Sequence, residues 1–369
     1  MSRAPVPGGG LSLAALACML LAALAGSGCT ERAAAPNRSQ QVDALFAPLR
    51  SGVQPGAAVM VIKDGEVVHR AGYGYANLDA LEPMQADTMV RLASVSKQFT
   101  AMAIMVLAEQ GALRYDDPVS RYLPELSAYP GVTVRHLLTH TGGLPDYYDT
   151  IDTGTSLPTN ADALRLLGEM AAPVFPPGER FEYSNPGYDM LAPLVEAASG
   201  MEFAAFMKER VFAPAGMTHA LIHDHRPPVI AHRALGYEPE GGGFVLDDFD
   251  PLNGIVGSGG MYASLEDFLA WDEALYGSSL VSRETIDKAF TAMRLNDGST
   301  TDYGFGWRID DYRGQRRLRH GGSWVGFRTH IARIPAHRFT IVILSNRGDF
   351  QPETYIDPIS DIYLGAATP

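Results

Sequence analysis

Cysteine is almost missing from this chain. Of 369 residues only Cys18 and Cys29 are cysteine, and both lie in or at the edge of the N-terminal segment. A domain starting after them holds no disulfide, so its stability must come from burial. Charge is sparse too: 19% of residues are charged and 46% hydrophobic, enough apolar material for a large core in one domain or two closely packed subdomains. No lysine- or arginine-rich stripe occurs, which disfavours nucleic-acid binding. Internal repeats, heptad runs and low-complexity tracts are absent, as is a helical His-Glu-x-x-His pair. The net charge of −13 describes a soluble surface and identifies no partner.

The N-terminus reads differently from the rest. Arg3 is the only charge before an apolar run from Leu11 to Ala25, which Gly26-Ser27-Gly28 follows. The run is too short to span a bilayer as a stable helix, and its order is that of a secretory signal over residues 1–28. Removing Arg3 with it takes the net charge from −13 to −14. Cys29, directly after Gly28, resembles the acylated cysteine of a bacterial lipoprotein, although Gly26 stands where such motifs usually carry Leu. Ordinary cleavage after Ser27 is the alternative. Residues 29–41, rich in Ala and polar groups, read as a tether or disordered leader before a domain over 42–365. The expected location is outside the cytoplasm, periplasmic or lipid-anchored at the bacterial envelope.

Within the domain, Gly56–Ile62 and Glu66–Gly72 are apolar, β-branched runs joined by Asp64-Gly65, a hairpin signature. From Ser94 to Gln110 the chain is nearly uncharged and stops at Gly111, as befits a helix buried all round. Helical periodicity recurs at Ala161–Met170, Tyr188–Ser199, Glu202–Phe212 and Leu265–Leu275. Strands return at Tyr303–Ile309, Arg316–His320, Gly326–Ile334 and Phe339–Ser345, the last two joined by a turn at Pro335–Arg338. The predicted fold class is α+β. One antiparallel sheet forms from both chain ends, flanked by helices, with a mostly helical subdomain inserted over roughly 112–300.

Three short motifs carry chemistry. Ser94-x-x-Lys97 on a helix puts a hydroxyl and an ammonium on one face, and a serine at a helix N-terminus has a free backbone N–H for an oxyanion. Such a pattern arises by chance about once in a chain of this length. A lone lysine opening a buried apolar helix, however, needs a partner or a purpose. Tyr183-Ser184-Asn185 sits in a loop between Pro176-Pro177-Gly178 and Pro186-Gly187. Alone it reads as a loop tyrosine with a capping Asn. As a catalytic element its phenol, ordinarily titrating near pH ~10, becomes a base when ammonium groups flank it. His320-Gly321-Gly322-Ser323 follows a strand, where glycines let a substrate backbone approach and the Ser323 N–H offers a second oxyanion donor. It is equally a common strand-end turn.

Together these motifs resemble the serine β-lactamase and penicillin-binding-protein superfamily, specifically its class C-like branch. That branch pairs Ser-x-x-Lys with Tyr-x-Asn and a Lys/His-x-Gly strand. The resemblance runs from about Gln41 to Leu364 and includes Arg91-Leu92-Ala93, Leu137–Leu144, Pro177–Asn185, Gly259-Gly260-Met261 and Tyr303–Trp307. It implies Ser94 as acylated nucleophile, with Lys97 and Tyr183 moving its proton and the Ser94 and Ser323 N–H groups holding the oxyanion. It further implies substrate binding by Asn185, His320 and Gly322, and by Tyr147, which falls where class C-like β-lactamases place a pocket-lining glutamine. Deacylation then also runs through Tyr183, and neither a cofactor nor a metal is implied. The expected partner is a small-molecule or peptide substrate, cell-wall fragments included.

This chain departs from the branch at its third motif. β-Lactamases of the branch generally carry Lys-Thr-Gly where His320-Gly321-Gly322 stands, so a fixed charge and a hydroxyl for the substrate carboxylate are missing. Histidine also occurs there in related peptidases and aminopeptidases. β-Lactam amide, D-amino-acid peptide and ester therefore remain open as substrates, with selectivity expected in the loops Tyr147–Thr159 and Leu235–Pro251. Two rival readings stand beside this one. A non-catalytic receptor keeps the fold and binds peptidoglycan fragments. A metal hydrolase uses His223, His225 and His232 with Asp224, Asp247, Asp248 and Asp250.

Overall fold

The two chain ends meet in one sheet. In the computed structural model, residues 36–154, 157–170, 172–224 and 229–365 are described. The expected signal segment 1–28, Cys29 and the expected tether through residue 35 lie outside them. The six-stranded sheet is antiparallel throughout, in the order Arg308–Tyr312, Gln315–Trp324, Phe327–Ile334, Phe339–Ser345, Ala57–Lys63, Glu66–Tyr73. The N-terminal hairpin turns at Asp64-Gly65, both with positive φ (56° and 84°), the backbone a tight hairpin demands.

The central strands Ala57–Lys63 and Phe339–Ser345 are apolar at successive positions because both their faces are covered. One face carries Ala58, Met60, Ile62, Val342 and Leu344 into the main core, which the inserted helices complete. The other carries Val59, Val61, Ile341 and Ile343 against Val42 and Phe46 from the first helical turns and Ile359 and Tyr363 from the last helix. That first helix, Arg38–Leu45, corrects the expected tether. Residues 38–41 are helical because Asn37 caps the Gln40 N–H while the Gln40 side chain returns to the Asn37 N–H. Ser39 adds a hydrogen bond to His69 Nδ1 (2.8 Å).

The insert is helical where periodicity predicts it, at Asn160–Glu169, Leu191–Ser199 and Leu265–Ala274. Capping boxes at Thr159/Asp162 and Ser264/Asp267 start the first and third of these. It also contributes short strands at Leu221–Ile222, Tyr237–Glu240, Gly243–Leu246 and Met261–Ala263 that apolar patterning is too brief to reveal. The expected strand Tyr303–Ile309 is a further correction, since pairing begins only at Arg308. A Cβ on Gly306 would sit 2.6 Å from the Gln98 Cα, so the segment before Arg308 lies tight against the helix Lys97–Glu109 and off the ladder.

A buried ion pair joins the sheet to that insert. Arg333, on a strand, donates from Nε to Asp272 Oδ1 on the helix Leu265–Ala274 (2.9 Å), and Thr340 Oγ1 donates to the same oxygen (2.6 Å). Both charged side chains are almost wholly enclosed, at 1% and 3% exposed. Removing one partner strands the other charge in the core. Asp272→Ala should therefore lower the unfolding free energy by about 3–5 kcal/mol in chemical denaturation. Replacing both Arg333 and Asp272 by apolar residues should cost less than that single change.

Candidate active site

Ser94 is the one reachable residue in a buried stretch. It sits in the 3₁₀ turn Ala93–Ser96, which leads into the helix Lys97–Glu109, and every other residue from Arg91 to Leu107 is buried. Ala93, just before it, has φ of 48°, a left-handed conformation that costs a non-glycine residue energy and turns the Ser94 side chain outward. The turn is held from several sides. Leu92 N–H donates to the Met261 carbonyl (2.8 Å), Trp271 Nε1 to Gln98 Oε1 (2.7 Å), and Thr100 Oγ1 to the Gly257 carbonyl (2.7 Å).

Lys97 is completely buried. Its Nζ donates to Ser94 Oγ at 3.1 Å, Asn185 Oδ1 at 2.8 Å and the Ser258 carbonyl at 2.9 Å, which uses all three ammonium hydrogens. It lies over the Tyr183 ring, 4.9 Å from its centroid, and 5.6 Å from that of Tyr188. The first two motifs thus meet at one nitrogen. Asn185 starts a short helix, Asn185–Asp189, capped by the Ser184 side chain, which accepts from the Gly187 N–H (3.1 Å).

Tyr183 is 37% exposed and is steadied from beneath by a residue the sequence reading passed over. His140 packs its ring 4.3 Å from the Tyr183 ring, accepts from the Ser184 N–H at Nδ1 (3.0 Å), and offers its carbonyl to the Glu182 N–H (2.9 Å). Its φ of 57° belongs to the turn Thr139–Gly143, whose glycine-rich end lets Phe175 approach: a Cβ on Gly143 would sit 2.4 Å from that carbonyl oxygen. The sequence signal was present in Thr139-His140-Thr141-Gly142-Gly143, but nothing local connects it to Tyr183.

The third motif lies in the strand Gln315–Trp324, which pairs with Arg308–Tyr312 only through residue 319, leaving His320–Trp324 on an open edge. Gly322 is sterically required there. A Cβ would fall 2.3 Å from both the Leu92 carbonyl and Thr329 Oγ1, and Thr329 itself donates to that carbonyl (2.7 Å). Gly321 is not so constrained; the nearest atom to an added Cβ is His330 Nδ1 at 3.4 Å. The Tyr303 hydroxyl donates to His320 Nε2 (2.8 Å), and His320 Nδ1 donates to the Gly321 carbonyl (2.7 Å). Burial, with the Lys97 ammonium nearby, lowers the His320 pKa to about 3.

These groups open into a cleft of about 680 Å³ lined by Ser94, Tyr183, Asn185 and the edge His320–Ser323. Three arginines on its walls also escaped the sequence reading: Arg308 pairs with Asp302 (2.8 Å), Arg319 with Asp310 (2.6 Å) and Arg328 with Glu238 (3.1 Å). Glu238 brings the loop Leu235–Pro251 to this wall. A second, small cavity on the other side of Ser94 is lined by Tyr148, Leu252, Ile255, Ser258 and Trp324.

Tyr147 does not line either space, which corrects its expected substrate contact. It is wholly buried and its hydroxyl donates to Asp189 Oδ2 (2.7 Å), while its neighbour Tyr148 faces the small cavity. Of the rival metal ligands, Asp248 is committed to a bidentate pair with Arg233 (3.2 and 2.5 Å). His232 lies beside Glu82 (3.8 Å), and His225 is outside the described residues. Among the described residues no group of three His, Cys, Asp or Glu is arranged to hold a metal ion.

Known proteins carry the same architecture. Residues 42–362 match the family described as Beta-lactamase. Penicillin-binding protein 4* of Bacillus subtilis (strain 168) is 36% identical over 327 residues, 84% of this chain and 72% of that protein. A D-aminopeptidase of Cereibacter sphaeroides is 32% identical over 79% of this chain, which spans only 57% of that protein's length. The octameric penicillin-binding protein homologue from Pyrococcus abyssi superposes with a TM-score of 0.77 at 28% identity, covering 88% of this chain and 77% of that one. The penicillin-binding protein from Bacillus halodurans gives 0.74 at 29% identity, covering 87% and 99%. With its fold, its convergent Ser94–Lys97–Asn185 contacts and these relatives, the chain belongs to the beta-lactamase family, within the serine β-lactamase and penicillin-binding-protein superfamily of serine hydrolases.

Proposed function

We propose that this protein is an exported serine hydrolase that cleaves an amide or ester through an acyl-enzyme on Ser94. The contact of the buried Lys97 ammonium with Ser94 Oγ (3.1 Å) is the observation that carries the reading. Ser94 Oγ attacks the substrate carbonyl carbon while its proton passes to the Tyr183 oxygen, whose ring lies against the Lys97 ammonium. The Ser94 and Ser323 N–H groups stabilise the oxyanion, and Asn185 orients the substrate. The leaving amine or alkoxide takes the proton from Tyr183. Water, deprotonated by the same residue, then frees the acid.

His320 limits the substrate. A neutral imidazole offers no fixed charge to a carboxylate, and Gly321 offers no hydroxyl, so an efficient penicillinase is the least favoured reading. Positive charge in the cleft comes instead from Arg308, Arg319 and Arg328. Peptides with D-amino acids fit the D-aminopeptidase relatives, and short esters need no carboxylate anchor. Export, with lipidation of Cys29 as one route to the envelope, rests on the order of residues 1–29.

Ser94→Ala should abolish labelling by a fluorophosphonate probe without changing the melting temperature. Tyr183→Phe should slow acylation by about 10²–10⁴-fold; wild-type rates in that variant would reject Tyr183 as base. Intact-mass spectrometry of protein recovered from its own envelope addresses substrate and address together. A long-lived adduct with a β-lactam but rapid turnover of a D-Ala-D-Ala peptide or a nitrophenyl ester is expected, on a chain starting at or just before Cys29. His320, neutral at any pH well above about 3, should contribute no inflection to the pH–rate profile between pH ~5 and ~8. An inflection that His320→Gln removes would overturn that assignment.

A further inference from the structure

We infer that Asp189 is a positioning residue for acylation: through the Ser258 peptide it sets Lys97 against Ser94, and it supplies a counter-charge to the buried ammonium. The inference rests on the serine-hydrolase reading above. Asp189 is wholly buried, four residues beyond Asn185 and two beyond the glycine of that turn. Its Oδ2 accepts from Tyr147 (2.7 Å) and Tyr148 (3.0 Å), and its Oδ1 accepts from the Ser258 N–H (3.3 Å). The carbonyl of the same Ser258 takes the Lys97 hydrogen bond at 2.9 Å. One residue therefore has its N–H held by the carboxylate and its carbonyl held by the ammonium.

A buried ammonium without a counter-charge loses its proton, since desolvation favours the neutral amine. Around Lys97 the other titratable groups are Tyr183, Tyr188, His140 and His320, and burial holds both histidines below their ordinary range, hence neutral. Asp189 and Lys97 feel one another's charge. Tyr147 and Tyr148 face Asp189 from the other side; both hydroxyls are held well above their ordinary range by burial and donate to it. Burial raises the Asp189 pKa, and those donors with Lys97 counter the rise. Tyr148, pinned by Asp189, also walls the small cavity beside Ser94. The same carboxylate thus orders the proton-transfer group and one side of the substrate space.

The test compares wild type, Asp189→Asn and Tyr147→Phe by the second-order rate of fluorophosphonate labelling from pH 5 to 10, with melting temperatures alongside. In Asp189→Asn the rate at neutral pH should fall by about tenfold to a hundredfold. Its acid limb should disappear, because the amide cannot take up the proton that Asp189 takes up in wild type. A uniform drop with the limb unmoved marks a purely structural residue and overturns the proposal, as does an unchanged rate. If Asp189→Asn does not fold, Tyr147→Phe decides. It keeps the charge but removes a donor to the carboxylate, so the acid limb should move to higher pH, and an unmoved limb overturns the proposal. Wild type that labels at Ser94 separates these outcomes from failure of the hydrolase reading; wild type that does not label overturns both.

Discussion

A single buried ammonium organises this molecule. Lys97 has no solvent contact, so each of its three hydrogens must meet an acceptor inside the protein, and each acceptor comes from a different part of the chain: Ser94, Asn185 and Ser258. An unpaired charge at that depth would cost several kcal/mol. The nucleophile helix, the Tyr183–Asn185 loop and the Gly257–Gly259 turn are therefore held together by the same requirement that makes the site reactive. Folding and chemistry share one electrostatic condition here.

Close backbone approach sets the rest of the geometry. Gly322 lets the open strand edge come against the Leu92 carbonyl, and Gly306 lets the segment before Arg308 come against Gln98. Both contacts brace the turn that carries Ser94. A side chain at either position would lift the strand or the loop away from the nucleophile. The edge left free beyond residue 319 is then available to a substrate backbone, as unpaired N–H and C=O groups on a strand edge are.

The chemistry at that edge is unusual for the branch in a specific way. His320 is enclosed between Tyr303 and its own strand, so it is a neutral hydrogen-bonding group. Gly321 has room for a side chain and does not carry one. The cleft consequently presents paired arginines on its walls in place of a charged strand motif, and those pairs tie it to the hairpin Tyr237–Leu246 and to the edge strand Arg308–Tyr312.

The central hairpin, the buried nucleophile helix, the helices Asn160–Glu169 and Leu265–Ala274 and the closing strand Phe339–Ser345 were legible from the residues, because periodicity and caps are local properties. Ser94, Lys97, Tyr183 and Asn185 were legible as well, through motifs whose order outweighs chance. Tyr147 was misread because a one-residue difference along a loop decides which ring faces the cavity, and that is settled by packing on Asp189. The helix over residues 38–41 was missed because its stability comes from Val42 and Phe46 against the far face of the sheet. Asp189 and the three arginines carry no local signature at all, and the segment around His140 carries one that nothing local connects to Tyr183. By itself the sequence determined that Ser94, Lys97, Tyr183 and Asn185 belong to one constellation and which kind of fold holds them. Only the tertiary structure decided which of them touch, since a buried charge takes its partners from wherever the chain brings an acceptor within reach.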